Sequence, residues 1–499
     1  MRSGTSFLLN FLIVFALTLF NLLMIRSVGN IALALLEAIT VIVLVFLHKT
    51  SYAVIWHFIF VLTCVSANTA FEVEGLDDTL MYSYSRLKLV GPVGLSYVIS
   101  IFLLFVTRRK WRFVKRTLFY KLYKLFWLLF GAGILIGVFG LLFSDYYISA
   151  FISYGVYMGM VLVNMALLMN IFSEKSLTTI RELLLPLLVG ATIAAVVSFA
   201  FGISTSYSGI GNLVLMPDIT YYGVIMLLLL PASPNKLLTV VAIVCFVVTM
   251  IFQLSGKGVF INGLGLVLFL YQLLSSKRIH SFVKVAVVSV MVGAGFYIVN
   301  NVELGLLSTV KIDQAKSLFQ SGGDVGEVAS SPRVRVATTL NIIDEGIRNP
   351  IFLLFGHGYG GYFQDDLGLM KGMDLTDGGW PPEIVEKGKF PTAHDTFSTV
   401  PLLNGFIGLL LLVYISLKYV FRSLKNPFAF AVIPWVVLTF YFNIQTAMAG
   451  MLFLFATENY AKTVKRRPLK RKKMEEGAKP EEETEITEEA VVAADTQTL

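Results

Sequence analysis

The segment SFLLNFLIVFALTLFNLLMI, Ser6–Ile25, carries no charged residue over its whole length. A helix rises about 1.5 Å per residue, so about 20 apolar residues cross the roughly 30 Å hydrocarbon core of a bilayer. No small-residue cleavage pattern follows the segment, which distinguishes it from a secretory signal peptide. The segment therefore predicts a retained transmembrane helix near the start of the chain.

Similar apolar segments recur along almost the whole chain. Hydrophobic residues make up 56% of the 499 residues and charged residues only 14%, whereas soluble domains are about 45–50% apolar. This composition predicts an all-α polytopic membrane protein with about fourteen transmembrane helices. The predicted ranges are 6–25, 30–47, 51–67, 91–106, 125–143, 150–172, 183–201, 218–231, 237–254, 258–274, 284–300, 401–421, 428–443 and 446–460.

Lysine and arginine are unevenly distributed among the predicted connections. Cytoplasmic connections of membrane proteins retain positive charge, and the basic clusters here fall in connections on one predicted side. They include TRRKWRFVKRTLFYKLYK (107–124), SSKRIHSFVK (275–284) and the run KTVKRRPLKRKK (462–473). This distribution predicts that both termini are cytoplasmic.

The chain divides into four predicted parts. Residues 1–300 hold eleven helices, 301–400 form one large external loop, and 401–461 hold three more helices. Residues 462–499 are first basic and then rich in Glu, which predicts a disordered cytoplasmic tail. Most loops are shorter than about 12–15 residues, so a loop as long as the one at 301–400 is typically functional or disordered. Its apolar helical pattern and glycine-rich turn, in VRVATTLNIIDEGIRNPIFLLFGHGYGGYF (334–363), favour a folded, functional loop.

Two charged residues lie at predicted external ends of helices. Lys257, in SGKG (255–258), is either a lysine that extends to the interface or an ammonium placed to bind an anionic headgroup. Asp218, in MPDITYYGVIMLLLLP (216–231), follows a proline at the first turn of a predicted helix. A carboxylate favours the positive end of a helix, so a structural role is the better interpretation for Asp218.

The external loop supplies two arginines. Arg333 and Arg335 precede an amphipathic segment, and the planar guanidinium matches phosphate oxygens and keeps its charge at neutral pH. The alternative is an ordinary surface ion pair with Asp344 or Glu345. Two neighbouring arginines in an acidic loop favour a role in diphosphate binding.

At the end of the loop, His394 and Asp395 lead directly into an apolar helix. The unperturbed pKa of histidine, about 6.5, suits the removal of a proton from a hydroxyl near neutral pH, and a neighbouring carboxylate can orient the ring. Taken alone, a histidine at this position is more often a structural residue that begins a helix.

Together these features resemble the O-antigen polymerase and ligase superfamily. His394 followed by Gly405 and Gly408 resembles the histidine that ends the large periplasmic loop of that family, and NPIFLLFGHGYGGYF (349–363) resembles its Pro and Gly-x-Gly segment. Arg333 falls near the position of the family's arginine that precedes this segment, and Arg335 is the alternative residue for that role. Lys257 stands where arginine is usual, and Asp218 where asparagine is usual.

The resemblance implies a GT-C type glycosyltransferase in the bacterial inner membrane, with its active site facing the periplasm. It would transfer a growing glycan from undecaprenyl diphosphate to a hydroxyl of another lipid-linked unit. His394 would be the general base, Lys257, Arg333 and Arg335 would stabilise the departing diphosphate, and Asp395 and Asp218 would contact substrate. Its partners would be lipid-linked donor and acceptor, membrane lipid and a chain-length regulator, with no nucleic acid, metal or cofactor.

Aromatic and acidic loop residues are candidates for contacts with the glycan, or for ordinary packing of the loop. They are Tyr359, Tyr362, Trp380, Asp365 and Asp366. Within the family, the alternative function is a ligase that transfers glycan to lipid A core. A transporter or flippase of the same lipids is a different class, which predicts inverted repeats that the sequence does not show clearly. A membrane scaffold would leave the patterned loop without a function.

Overall fold

The structure is a computed structural model in which helices account for most of the described chain. It describes residues 2–24, 28–65, 83–90, 93–108, 111, 113–201, 204–206, 212–214, 219, 330–373, 375, 380–393, 396–422, 436–437, 439–441 and 443–465, together with 274, 281–282, 285 and 289. Apart from 274, 285 and 289, the predicted spans between 220 and 300 lie outside these residues, as do most of the span at 428–443 and the tail after 465. The count of fourteen spans therefore remains a prediction.

The first part of the chain is a series of apolar helices with two short antiparallel strand pairs. In chain order the elements are α1 (Arg2–Leu23), α2 (Gly29–Phe46), α3 (Thr50–Thr63), β1 (Lys88–Val90), β2 (Val93–Gly94), α4 (Leu95–Val106), α5 (Leu118–Phe143), α6 (Ile148–Asn170), α7 (Glu174–Ala200), β3 (Ser204–Ser206) and β4 (Asn212–Val214).

The second part contains a small folded loop and further helices. Its elements are α8 (Ser330–Arg348), α9 (Pro350–Phe355), β5 (Phe363–Gln364), α10 (Pro382–Lys387), β6 (Lys389–Phe390), α11 (Thr396–Arg422), α12 (Ile444–Ala456) and α13 (Tyr460–Lys465). Strands β5 and β6 pair antiparallel, with Phe363 opposite Phe390. The chain from Asn459 onward is a separate unit, of which α13 is the described element.

Several of these helices suit a membrane. Within the described residues, five helices are long and apolar enough to cross a membrane. They occupy 29–46, 118–143, 148–170, 174–198 and 397–422. Helices α1, α3, α4 and α12 contain shorter apolar segments. The prediction of an all-α membrane protein is therefore confirmed at this level.

Two helices begin well before the hydropathy pattern predicts, because polar caps decide where a helix starts. The hydroxyl of Thr117 accepts a hydrogen bond from the backbone N of Tyr120 at 3.0 Å, so α5 starts at Leu118 rather than near 125. The hydroxyl of Ser173 accepts from the N of Ser176 at 3.1 Å, and α7 starts at Glu174 rather than near 183. Such caps satisfy backbone N–H groups that lack a helical partner.

The most deeply buried helix is α12, whose residues Gln445 to Ala456 are all buried. It packs against α3, α6 and α7, while α1 lies along α7 and α5 pairs with α6. Polar side chains also join the helices. Both ring nitrogens of His57 are 2.8 Å from a hydroxyl, one of Tyr84 and the other of Ser100, and Ser100 donates to Asn164 on α6 at 3.2 Å.

Charged groups connect four helices at one end of the helices. We call it the basic end, because the basic connections before α3 and α5 lead into it. The carboxylate of Glu458, directly after α12 and fully buried, accepts from Arg422 of α11 at 2.6 Å and from the backbone N of Phe119 in α5 at 2.9 Å. Arg181 of α7 donates to the carbonyl of Ala456 at 2.8 Å and to that of Glu458. The opposite ends of α5, α6 and α11, which we call the loop end, carry the folded loop at 330–393.

The folded loop has a hydrophobic core of its own. Val334 and Ala337 of α8, Phe363 and Phe390 of the strand pair and Trp380 pack together with Leu402 of α11. Because Leu402 belongs to a candidate membrane helix, the core joins the loop to that helix. Residues 330–373 and 380–393 are thus folded in the structure, whereas the predicted large external loop at 301–400 stays a prediction.

Candidate functional site

The folded loop contacts α5 and α11 through a glycine-rich turn, residues 356–362. The backbone N of His357 donates to the carbonyl of Leu402 at 2.7 Å, and the N of Tyr359 donates to the carbonyl of Gly133 at 2.9 Å. Gly356, Gly358 and Gly360 have φ of 74°, 71° and 83°, a region that residues with a Cβ rarely adopt. Glycine is therefore required for the turn to approach both helices so closely.

Helix α11 receives the turn at a kink. Gly405 has φ 65° and ψ −176° inside the helix, and a Cβ there would overlap the carbonyl of Leu354 at the end of α9. Asn404 donates to the carbonyl of Leu129 in α5 at 2.9 Å, which anchors the kinked segment. A Cβ added at Gly408 would come within 2.6 Å of the Asn404 Cβ and within 3.4 Å of Leu129 in α5. The two glycines thus differ: Gly405 shapes the kink, and Gly408 lies against α5.

The side chain of His357 lies between three elements. Its Nε2 is 3.4 Å from Oε1 of Glu345 on α8, and its Nδ1 is 3.3 Å from the hydroxyl oxygen of Tyr146 in the turn between α5 and α6. The ring of Phe352 stacks on the imidazole, with centroids 4.1 Å apart. The side chain is only 8% exposed, whereas that of Glu345 is 26% exposed.

Tyr146 belongs to a cluster of tyrosines and charges beside His357. Its ring lies 6.0 Å from that of Tyr362, edge to face, and fills space left by Gly140 of α5. Burial, and then the negative charge of Glu345, raise the pKa of Tyr146 to about 12. Lys389 approaches the Tyr362 ring at 4.8 Å. Its pKa is raised by hydrogen bonding to Tyr362 and by Asp145, whose carboxylate lies 3.3 Å away.

The two loop arginines lie on opposite sides of α8. The buried stripe of this helix runs through Val334, Ala337, Thr338, Asn341 and Ile342. Residues two apart on a helix differ in direction by about 200°, so Arg333 and Arg335 flank the stripe rather than face one target.

The environments of the two arginines also differ. Arg333 donates to the backbone carbonyls of Leu369 at 3.2 Å and Lys371 at 3.4 Å, which ties the 365–373 turn to α8. For the guanidinium of Arg335, no hydrogen-bond or ion-pair partner is found within the described part of the chain. Much of Arg333 is thus used by the loop itself, whereas a role for Arg335 in binding an anion stays a prediction.

Two predicted glycan contacts are corrected by burial. Trp380 is 2% exposed in the loop core and donates through Nε1 to the hydroxyl of Thr392 at 3.1 Å. Tyr359 is fully buried, and Gly133 of α5 leaves room for its ring. Large amphipathic rings fit a glycan and a core equally well, so composition did not distinguish the two. Here neither ring offers a face to a glycan.

The acidic candidates, Asp365 and Asp366, form hydrogen bonds and an ion pair within the folded loop. Asp365 accepts from the side chain of Asn341 and from the backbone N of Met370, both at 2.9 Å. Asp366 pairs with Arg348, which also lies 2.9 Å from Asp344. Tyr362 is partly exposed and stays a candidate for a glycan contact.

Four other candidates, Lys257, Asp218, His394 and Asp395, lie outside the described residues. In sequence, His394 and Asp395 directly precede α11, the helix that receives the glycine-rich turn. Whether these four share a cavity with Arg335 stays a prediction. Within the described ranges, no group of three or more His, Cys, Asp and Glu side chains is arranged to hold a metal ion.

The sequence reasoning missed His357. Its signal is the histidine inside GHGYGG (356–361), because a turn that depends on glycines brings this side chain to a fixed place. Comparisons of the chain with protein families, with curated proteins and with solved structures find no match.

Proposed function

We propose that the chain is a membrane glycosyltransferase that polymerises glycan units linked to a polyprenyl diphosphate such as undecaprenyl diphosphate. The observation that carries the proposal is the docking of the folded loop on α5, α6 and α11. It brings the helix of Arg333 and Arg335, the glycine-rich turn and the first residues of α11 into one region. These are the segments that carry the family resemblance.

The candidate residues are of the types that such a transfer requires. The departing diphosphate needs cations, and a positioned cation usually supplies a large share of transition-state stabilisation. Arg335 offers an unpaired guanidinium in the described part of the loop, and Lys257 is the second predicted cation. A displacement by the acceptor hydroxyl inverts the anomeric carbon and needs one base, which the resemblance assigns to His394.

We place the loop end on the periplasmic side of a bacterial inner membrane. The basic connections lead to the opposite end of the helices, and positive connections are retained in the cytoplasm. A donor carried on the outer leaflet would then meet the folded loop directly.

Purified protein incubated with lipid-linked repeat units alone tests the proposal. Growth of the glycan to two or more units is expected. Transfer that occurs only after addition of lipid A core would instead identify a ligase. Movement of the lipid across vesicles without glycan growth would identify a transporter and reject the proposal.

The proposed displacement uses side chains, so chain growth should persist in a metal chelator. We expect initial rates within about twofold of the untreated protein after incubation with excess EDTA, with buffer-exchanged protein as the control. Complete loss that a divalent cation restores would contradict this part of the proposal.

A further inference from the structure

Tyr146, His357 and Glu345 form a continuous line of polar side chains in the structure. The imidazole is the middle member, 3.3 Å from the Tyr146 hydroxyl and 3.4 Å from the Glu345 carboxylate. The three residues come from three separate segments: the turn between α5 and α6, the glycine-rich turn and α8. The line exists only because the loop docks on the helices.

The partners favour one position for the ring proton. A carboxylate only accepts hydrogen bonds, so its place 3.4 Å from Nε2 favours the neutral ring that carries its proton on Nε2. In the neutral ring Nδ1 then has a free lone pair and accepts the Tyr146 hydroxyl proton. A carboxylate on one nitrogen and a hydroxyl on the other is the arrangement in which an imidazole works as an oriented base.

Access to the line is restricted to its two outer members. The imidazole is stacked on Phe352 and almost fully buried, so it does not reach a substrate itself. Tyr146 is only partly buried, and Glu345 is 26% exposed. Because the pKa of Tyr146 is raised to about 12, its hydroxyl keeps its proton at neutral pH. It can accept a proton from outside only while it passes its own to His357.

Among the residues that the structure describes, other charges near the line are paired. Arg348 binds Asp344 and Asp366, and Lys389 binds Asp145. The remaining neighbours shown are Tyr362 beside Tyr146, Phe352 from α9, Gly140 from α5 and the carbonyl of Leu402 from α11. Glu345 is thus the carboxylate placed to stabilise an imidazolium at His357.

We propose that Tyr146, His357 and Glu345 are a proton relay that takes the proton from the acceptor hydroxyl. This inference rests on the transfer reaction proposed above, and it gives His357 the base role that the resemblance gives His394. The acceptor O–H bond breaks and its proton moves to the Tyr146 oxygen, while the Tyr146 proton moves to Nδ1 of His357.

The acceptor oxygen bonds to the anomeric carbon as the bond from that carbon to the diphosphate oxygen breaks. The electron pair leaves with the diphosphate, and no group is oxidised or reduced. Glu345 stabilises the imidazolium until the proton on Nδ1 returns to the Tyr146 oxygen as Tyr146 releases its own proton to water, which restores the ring that is protonated on Nε2.

The test compares initial rates of the full-length protein, with lipid-linked repeat units extracted from cells that carry the chain as the probe. Tyr146→Phe and His357→Gln should each lower kcat by about 10²-fold and leave KM within about threefold. Both should also remove the acidic limb of the pH profile of kcat. Tyr414→Phe, at an exposed position on α11, is the matched control and should keep the wild-type rate.

Retention of kcat within about threefold in either relay variant would overturn the relay. So would an acidic limb that persists in His357→Gln and disappears in His394→Gln, which would give the base role to His394. Wild-type protein that elongates no glycan rejects the proposed function, and the relay with it.

A second measurement does not depend on activity. In protein labelled with ¹⁵N-histidine, the His357 signal is identified by its loss in His357→Gln. The neutral ring should be protonated on Nε2, and Tyr146→Phe should shift the Nδ1 resonance. A ring protonated on Nδ1, or a resonance that Tyr146→Phe leaves unchanged, contradicts the relay even in an active protein.

Discussion

At the scale of single residues, Arg333 and Arg335 form different contacts although they lie only two positions apart. The guanidinium of Arg333 donates to the carbonyls of Leu369 and Lys371, whereas that of Arg335 has no such partner in the described residues. An unpaired guanidinium at a loop surface costs little to keep in water and binds phosphate oxygens in a bidentate manner. Loss of each arginine should therefore affect a different measurable property.

We expect Arg335→Ala to lower the rate of chain growth by about 10²-fold, the usual effect of removing one donor to a developing anion. The midpoint of thermal unfolding in detergent should stay within about 1 °C, because no partner in the described chain is lost. Arg335→Lys keeps the charge without the planar fork and should give an intermediate rate.

Arg333→Ala should instead lower the stability of the loop by about 1 kcal/mol, the net value of hydrogen bonds of this kind. Limited proteolysis of the 365–373 turn reports that change directly. Equal effects of the two alanine variants on both rate and proteolysis would contradict the division of roles.

At the scale of elements, the kink in α11 and the end of α9 depend on each other. The carbonyls of Leu402 and Leu403 accept from the backbone N of His357 and Gly358 at 2.7 Å and 3.1 Å. In a straight α11 the same carbonyls would instead accept from the backbone N of residues four positions later in the helix. The kink requires a backbone conformation, φ 65° and ψ −176° at Gly405, that is almost restricted to glycine. The position of the turn therefore depends on one residue outside it.

Gly405→Ala should destabilise the protein by about 1–3 kcal/mol or more, from backbone strain and from overlap with the Leu354 carbonyl. Thermal unfolding in detergent measures the change. Gly131→Ala on α5 is the matched control, because an added Cβ there meets nothing within 4 Å. The higher helix propensity of alanine should leave that variant as stable as the wild type or more so. An unfolding midpoint of Gly405→Ala at or above that of Gly131→Ala would show that the kink is not required.

At the scale of the whole molecule, the two ends of the described helices are held by different means. Glycine turns and an apolar core attach the loop at one end, while Glu458 joins segments far apart in sequence at the other. A buried carboxylate without its partner is costly, because it has neither water nor a counter-charge. The basic end therefore depends on the pairing of Glu458.

Arg422→Met should destabilise the protein by about 3 kcal/mol, near the lower limit for a broken buried pair because Arg422 is partly exposed. The double variant Arg422→Met with Glu458→Gln removes the unpaired charge and should recover part of the loss. Lys418→Ala, at a half-buried cation of the same helix, should change the unfolding midpoint by less than about 1 °C. A double variant less stable than Arg422→Met would contradict this account of the basic end.

The sequence by itself determined the class of the protein and the approximate positions of its described helices. Uncharged segments such as that of α1 have no stable alternative to spanning or burial, because a helix satisfies its own backbone groups. The same reasoning found the helical pattern of α8 and the turn at 356–362. It misplaced the starts of α5 and α7, where the local caps at Thr117 and Ser173 outweigh hydropathy.

Only the tertiary structure decided which of the candidate side chains are buried and which remain open. Trp380 and Tyr359 look like glycan contacts in the sequence, yet both complete packed cores. His357 looks like a spacer between glycines, yet the docked turn sets it between Glu345 and Tyr146. The physical reason is that burial and pairing depend on contacts between segments more than 200 positions apart in the case of Tyr146 and His357, and no local pattern encodes such contacts.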